Sequence, residues 1–502
     1  MNVFQPIPLG TRIPPRLHAV SCSLPTMRDV IGYEEKDEET VAHMCSGYPR
    51  FVIHPLLLSI ERAWRERFPI GDDALWLLSS EQMANQLAAH LEDVPSRTFE
   101  HDGVIGLAHP GDDEIRKRAR AFLQHTGGLL SSRAAEDYAV RHGLIPAHAP
   151  EETWKGDALE RVRSTLAPYL YPDAVENIRL GPSGMNAFWA AFNAVSELQR
   201  PRGRDTWLQV GWLYLDTGAI LAKFTHARFI RIYDVHDRSA IETAFREHGD
   251  RLAGVVTEVT TNPLMQTVDL PWLAALAREH GACMVVDPSI TSPRNVDVTP
   301  HADIIVNSLT KYAACEGDVI LGAVAINPTA RNSKQLIQRV SSFLEPVYPR
   351  DLARLAAEIG QYDAFIDTLN TNARQVIDYL RNRSRGVRRL FWSLQEDSRA
   401  NFLRLARAPD RIGPVFSFEI DGPMPAFYDA VPLPKGPSFG MRNTLLCPFI
   451  YLAHYDLVTD EAGRRQLAAA GVSPDLLRIS IGAEPAEAII EAFEIGFRAA
   501  GL

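Results

Sequence analysis

From about residue 178 to 330 the chain alternates short β-branched apolar runs with amphipathic stretches, and this rhythm constrains its fold more than any other feature. LAGVVTEV (252–259), ACMVVDP (282–288), ADIIVNSLT (302–310) and VILGAVAIN (319–327) are short and bounded by turn residues, so they read as buried strands. TWLQVGWLY (206–214) and ARFIRIYDV (227–235) are strand-like as well. Between them, RSAIETAFREHG (238–249) and LPWLAALAREHG (270–281) read as helices, the second stopped by Gly281. Strands that alternate with helices predict a largely parallel sheet covered on both faces.

Beyond this region the pattern changes. Residues 351–383 read as long helix, followed by strands at VFSFEID (415–421) and LLRISIG (476–482) and a closing helix at 485–501. These elements suggest a smaller α+β domain. The reading divides the chain into an N-terminal arm (1–60), an inserted, mostly helical segment (61–177), a large domain (178–345) and a small C-terminal domain (346–502). At 502 residues, 46% hydrophobic and 23% charged, the chain is too apolar to remain disordered. A net charge of -10 and the lack of any Lys/Arg run argue against nucleic-acid binding. No apolar stretch reaches the roughly 18 residues of a membrane span, and the Pro-rich start does not read as a secretory signal. Five scattered cysteines without a C-x-x-C pair read as reduced thiols, with neither a disulfide frame nor a metal site. A cytoplasmic protein is expected.

The chemistry concentrates in residues 282–312. Asp287 ends one strand, and Lys311 follows the next after Ser308 and Thr310. Ligands of open α/β sheets bind outside the carboxyl ends of the strands, so both side chains are expected in one crevice. Lys311 is one of only seven lysines. An amine and a carboxylate held together suit a pyridine cofactor: the lysine forms a Schiff base with its aldehyde, and the aspartate keeps the ring nitrogen protonated. Ser308 and Thr310 offer hydroxyls to a phosphate. Ser183, Gly184 and Met185 open a helix whose free N–H groups suit the same anion.

These residues resemble the Cys/Met-metabolism family of pyridoxal 5'-phosphate enzymes, which includes cystathionine γ-synthases and lyases, methionine γ-lyase and homoserine sulfhydrylases. The S-x-T-K pattern is met at Ser308–Lys311, E-x-x-x-N-P at Glu258, Asn262 and Pro263, S-G-M at 183–185, and R-x-S-x-G-x-E at Arg478, Ser480, Gly482 and Glu484. The stretches 18–35, 47–55, 124–136 and 438–456 look like the longer, fungal-type cystathionine γ-synthases. The resemblance implies a fold-type-I, aspartate-aminotransferase-like transferase, with a three-layer αβα large domain and a small α+β domain. It also implies roles. Lys311 is the Schiff-base lysine and proton carrier, and Asp287 holds the ring nitrogen. Tyr214 stacks on the ring, although Leu215 and Asp216 replace the glycines that usually follow. Asn262 meets the ring hydroxyl, Arg478 clamps the substrate α-carboxylate, and Ser438 supports the clamp. The family's Y-x-R pair, acting on the phosphate from a neighbouring subunit, is matched best by Tyr48 and Arg50, with Arg133 as a rival. The family's G-H after the lysine is replaced by Cys315 and Glu316.

The implied activity is γ-replacement on an activated homoserine (O-acetyl, O-succinyl or O-phospho) by a thiol such as cysteine, as in transsulfuration. Alternatives are a γ- or β-lyase, a γ-synthase with a nonstandard nucleophile, or a cofactor-free scaffold. Small-molecule amino acids are the expected partners, in a homodimer or homotetramer with shared sites.

Overall fold

The computed structural model describes residues 4–48, 52–226 and 228–502. At its centre lies a seven-stranded sheet in the order Ile178–Gly181, Gly322–Ile326, Ile304–Ser308, Cys283–Asp287, Leu252–Glu258, Thr206–Val210, Phe229–Ile232. Neighbours run parallel except at Gly322–Ile326, which opposes the strand on either side. Successive residues of a strand face opposite sides of a sheet, and here they enter separate cores. Val255, Val286 and Ile305 join one apolar cluster; Val256, Val285 and Val306 join the other, with the helix Gly184–Gln199. That double burial is why these strands read as unbroken apolar runs, and it produces the three-layer αβα arrangement.

The C-terminal part carries a four-stranded antiparallel sheet ordered Val387–Phe391, Val415–Ile420, Leu477–Ser480, Leu445–Pro448. Its core is aromatic: the Phe418 ring meets Phe493 of the closing helix Ala486–Ala499 edge-on at 5.5 Å. The long helical region is broken into Pro349–Glu358 and Tyr362–Asn382 by a 3-10 turn at Ile359–Gln361.

Residues 61–177, expected to be mostly helical, also carry a three-stranded antiparallel sheet ordered Ala74–Leu78, Val104–His109, Arg97–His101. ALWLL is buried at every position, so it lacks the alternation that betrays a half-exposed strand. The other two strands form a hairpin through Asp102-Gly103, both with positive φ (50° and 77°), which is the D-G signature of a tight hairpin turn. A set of ion pairs fastens this segment to the rest. Arg133 pairs with Glu151, Asp351 and Asp318, and Arg350 with Glu136, Asp137 and Glu151; Arg354, whose ion-pair partners Asp318 and Glu358 lie outside the segment, donates to the Glu152 carbonyl within it.

Candidate active site

Three adjacent parallel strands end at one edge of the central sheet, at Glu258, Asp287 and Ser308. Asp287 and Glu258 stand opposite each other in register. The turn after Ser308 carries Lys311 into the same crevice, while the small domain closes it with Ser438, Cys447, Phe449 and Arg478. The result is a cavity of about 160 Å³, roughly ten times the room one water needs. It can therefore house a ring-sized ligand.

Lys311 Nζ donates to Ser438 Oγ (2.9 Å) and to Tyr48 Oη, and it lies 4.4 Å from the Tyr48 ring centre and 4.6 Å from that of Phe439. Enclosure, reinforced by the positive Arg478, holds this amine well below its ordinary pKa and favours its neutral, nucleophilic form. Ser438 adopts φ 97°, a conformation that costs energy for a residue with a side chain; its hydroxyl is tied between Lys311 and Tyr48 (2.8 Å).

Asp287 Oδ1 accepts from the Ser289 N–H at 2.8 Å. Burial raises its pKa to about 6, with the Ser289 bonds pulling the other way. Glu258 is 5% exposed; burial, then the neighbouring Asp287, pushes its pKa well up. One Glu258 oxygen accepts from the Tyr214 N–H (2.6 Å), while its other oxygen has no hydrogen-bond partner among the described residues. Tyr214 itself lines the pocket as the cap of the helix Leu215–Phe224.

Arg478 is held in place by its neighbours. It donates to Asn262 Oδ1 (3.1 Å) and to the Ser438 carbonyl (3.2 Å), and its guanidinium lies 4.6 Å from the centre of the Phe449 ring. These bonds orient the fork without exhausting its donors. At the other end of the cavity Ser183 caps the helix Gly184–Gln199, its side chain accepting from the Asn186 N–H. A Cβ on Gly184 would stand 2.9 Å from Ser308 Cβ, so only glycine lets this helix start so near the strand end. The positive end of the helix dipole, with its open N–H groups, thus faces the pocket next to Ser308. The Ser308 N–H donates to Ser289 Oγ (2.8 Å), and the Thr310 hydroxyl is engaged with the backbone of Leu321.

Of the residues singled out in the sequence, Lys311, Asp287, Ser308, Thr310, Ser183, Gly184, Met185, Tyr214, Asn262, Tyr48, Ser438 and Arg478 all border this cavity. Arg50 lies outside the described residues. Arg133 borders the adjoining cavity instead, 1% exposed; burial opposes its charge, but Asp351, Glu151 and Asp318 more than compensate. Tyr48, whose family counterpart acts across a subunit boundary, reaches Lys311 of its own chain. Sequence reasoning had given no role to Glu258, Ser289 or Cys447. The first was visible in the E-x-x-x-N-P pattern and the second in its position two residues after Asp287. Cys447, directly across the sheet from Arg478, left no sequence signal.

The donor set suits a phosphorylated pyridine aldehyde. An enclosed amine whose pKa burial pushes down, two neighbouring carboxylates, one with an oxygen that has no hydrogen-bond partner among the described residues, and an anion-attracting helix start surround one ring-sized space. Fold and pocket together are those of a pyridoxal-phosphate-dependent enzyme of fold type I. The chain belongs to the Cys/Met-metabolism pyridoxal-phosphate-dependent enzymes, whose family model matches residues 173–498. It is 36% identical, over 97% of its own length and 98% of the relative's, to an L-2-amino-4-chloropent-4-enoate dechlorinase/desaturase of Streptantibioticus cattleyicolor. It is 27% identical to a cystathionine γ-synthase of Neurospora crassa, covering 97% of each chain. Among solved structures, the cystathionine γ-synthase of Xanthomonas oryzae pv. oryzae in complex with cystathionine shares the fold, with a TM-score of 0.57 at 24% identity over 71% of this chain and 92% of that one. No helix among the described residues is long and apolar enough to cross a membrane.

Proposed function

We propose that this protein expels a leaving group from the γ-carbon of an L-amino acid. Carbon 4 of a 2-amino acid is Cγ, so the names of both sequence relatives place their chemistry at the same atom. The observation that carries the reading is the enclosed amine of Lys311, hydrogen-bonded to Tyr48 and Ser438 in the pocket that also holds Arg478. Pyridoxal phosphate, when bound, supplies an aldehyde for amino groups and a ring that withdraws electrons from Cα.

Within this proposal the chain's own groups have distinct tasks. Arg478 grips the substrate α-carboxylate with its preset fork, and Asn262 fixes the plane of that fork. Asp287, anchored by Ser289, offers a carboxylate to the ring nitrogen, while Asn262 and Tyr214 flank the ring. Ser183, Gly184, Met185, Ser308 and Thr310 surround the phosphate, with Arg50 as the arginine that joins them. Lys311 Nζ accepts the proton from Cα and then carries protons at Cβ. Tyr48 Oη, hydrogen-bonded to that amine, keeps it aimed. The leaving group departs from Cγ with the bonding pair, so the substrate loses HX overall.

Elimination without an added nucleophile is the reading favoured by the 36% identical dechlorinase/desaturase. Replacement of the leaving group by a thiol, giving cystathionine from an activated homoserine, is the second reading, supported by the full-length match to the Neurospora crassa enzyme. Both are tested by incubating the holoenzyme with 2-amino-4-chloropent-4-enoate and with O-acetyl-, O-succinyl- and O-phosphohomoserine, each with and without cysteine. Chloride release from the first supports elimination. Cystathionine formed only when cysteine is present supports replacement, and ketobutyrate alone points to a lyase. No product from any of them would refute chemistry at Cγ. Assembly into homodimers or homotetramers belongs to the same proposal and is read by light scattering.

A further inference from the structure

The charge pattern of the pocket goes further than the reaction class. Lys311 and Arg478 are the only cationic side chains among its described lining residues, and both already have work in the proposed chemistry. The acidic ones, Glu258 and Asp287, sit together at the sheet edge. The rest of the wall is largely hydrocarbon. Leu215 opens the helix Leu215–Phe224, and Phe449, Leu452 and Ala453 belong to the helix Phe449–Ala453. Phe439 and Phe449 flank the Arg478 guanidinium at 5.5 and 4.6 Å.

We propose that this wall selects amino acids whose side chain beyond Cγ is short and uncharged, and that Leu215 and Leu452 are specificity-determining residues. The inference deepens the Cγ reading and rests on it. A side chain ending in a second carboxylate would have to shed its water against Leu215, Phe449 and Leu452, and the described lining residues hold no cation beyond Lys311 and Arg478 to receive it; an unpaired buried charge is strongly disfavoured. A small apolar or halogenated terminus meets no such penalty and gains from contact with the wall.

The test uses the holoenzyme and two unreactive probes that differ by one carboxylate, L-norvaline and L-2-aminoadipate, with binding read from the change in the visible absorbance of the bound cofactor. Norvaline is expected to bind at least tenfold more tightly. Equal or tighter binding of aminoadipate overturns the selectivity but leaves Cγ chemistry standing. Failure of both probes to perturb the cofactor overturns both readings, because neither amino acid then reaches the ring. Leu452→Arg places a cation on the wall and should shrink the norvaline preference at least threefold, while Leu452→Met should preserve it. Leu215→Arg provides the same test from a different helix should Leu452→Arg fail to fold. An unchanged preference in a folded arginine variant refutes the assignment of the wall.

Discussion

Asp287→Asn should have opposite effects on the cofactor-free and the cofactor-loaded protein. In the free protein the carboxyl faces Glu258 and a largely enclosed pocket, and its pKa stands at about 6 against an ordinary value of 3.8. A carboxyl raised in the folded state binds its proton more tightly there than in the unfolded chain. Its contribution to stability is therefore complete below about pH 3.8 and is lost as the pH rises through about 6. Between those values the loss amounts to about 3 kcal/mol at most, and to less than that because one side of the carboxyl borders the open pocket. Asparagine keeps the acceptor for the Ser289 N–H but carries no charge, so at pH 7.5 the free variant should be more stable than the parent by about 1–3 kcal/mol. At pH 4 the two should be nearly equal. In the loaded enzyme the same change removes the proposed partner of the ring nitrogen, and turnover should fall by about 100-fold or more. Urea titration of free and loaded protein at both pH values, with steady-state kinetics, reads every arm. A free variant less stable than the parent at pH 7.5, or a gain of equal size at pH 4, would refute the reasoning.

Other substitutions probe the remaining groups. Lys311→Ala should abolish turnover, and borohydride treatment of the loaded parent, but not of the variant, should leave a cofactor-sized mass on the peptide containing residue 311. A cofactor-free scaffold would show no such mass in either. Arg478→Lys replaces a fork by a point charge and should raise KM for the amino acid about tenfold or more with a smaller change in kcat, as measured by initial rates. Arg133→Ala leaves Glu151, Asp318 and Asp351 without their shared cation, and urea unfolding should show a loss of about 3–5 kcal/mol. If Arg50 is the arginine of the phosphate site, the cofactor dissociation constant of the folded Arg133 variant should stay within about threefold of the parent's, whereas that of Arg50→Ala should rise by at least about tenfold.

The parts of the molecule that could be read from sequence are those where local pattern and tertiary position coincide. The strands ending at Glu258, Asp287 and Ser308 are buried on both faces, so their apolar runs are unbroken, and the polar residue that ends each run marks the sheet edge where the pocket forms. Lys311 and Arg478 were legible because patterned neighbours, Ser308-x-Thr310 and Ser480, accompany them. The sheet in residues 61–177 was hidden because ALWLL has no alternation and Arg97–His101 is a mostly exposed edge strand. The surroundings of Arg133 were hidden for another reason. Its carboxylate partners lie 18, 185 and 218 residues away in sequence, and no local rule links them. Tyr48 borders the pocket, but the side from which it enters is set by the path of the arm, which spacing alone does not encode.

The ion pairs at Asp318 carry a lesson for anyone wishing to shorten this protein. Asp318 lies seven residues after Lys311 and pairs with three arginines from outside residues 178–345: Arg16 from the N-terminal arm, Arg133 from the inserted segment and Arg354 from the helix Pro349–Glu358. The loop bearing the lysine is thus clamped from outside its own domain. Excising the insertion would remove Arg133 and leave Asp318 and Asp351 short of a cation, slackening that loop unless those two residues were rewritten in the same stroke.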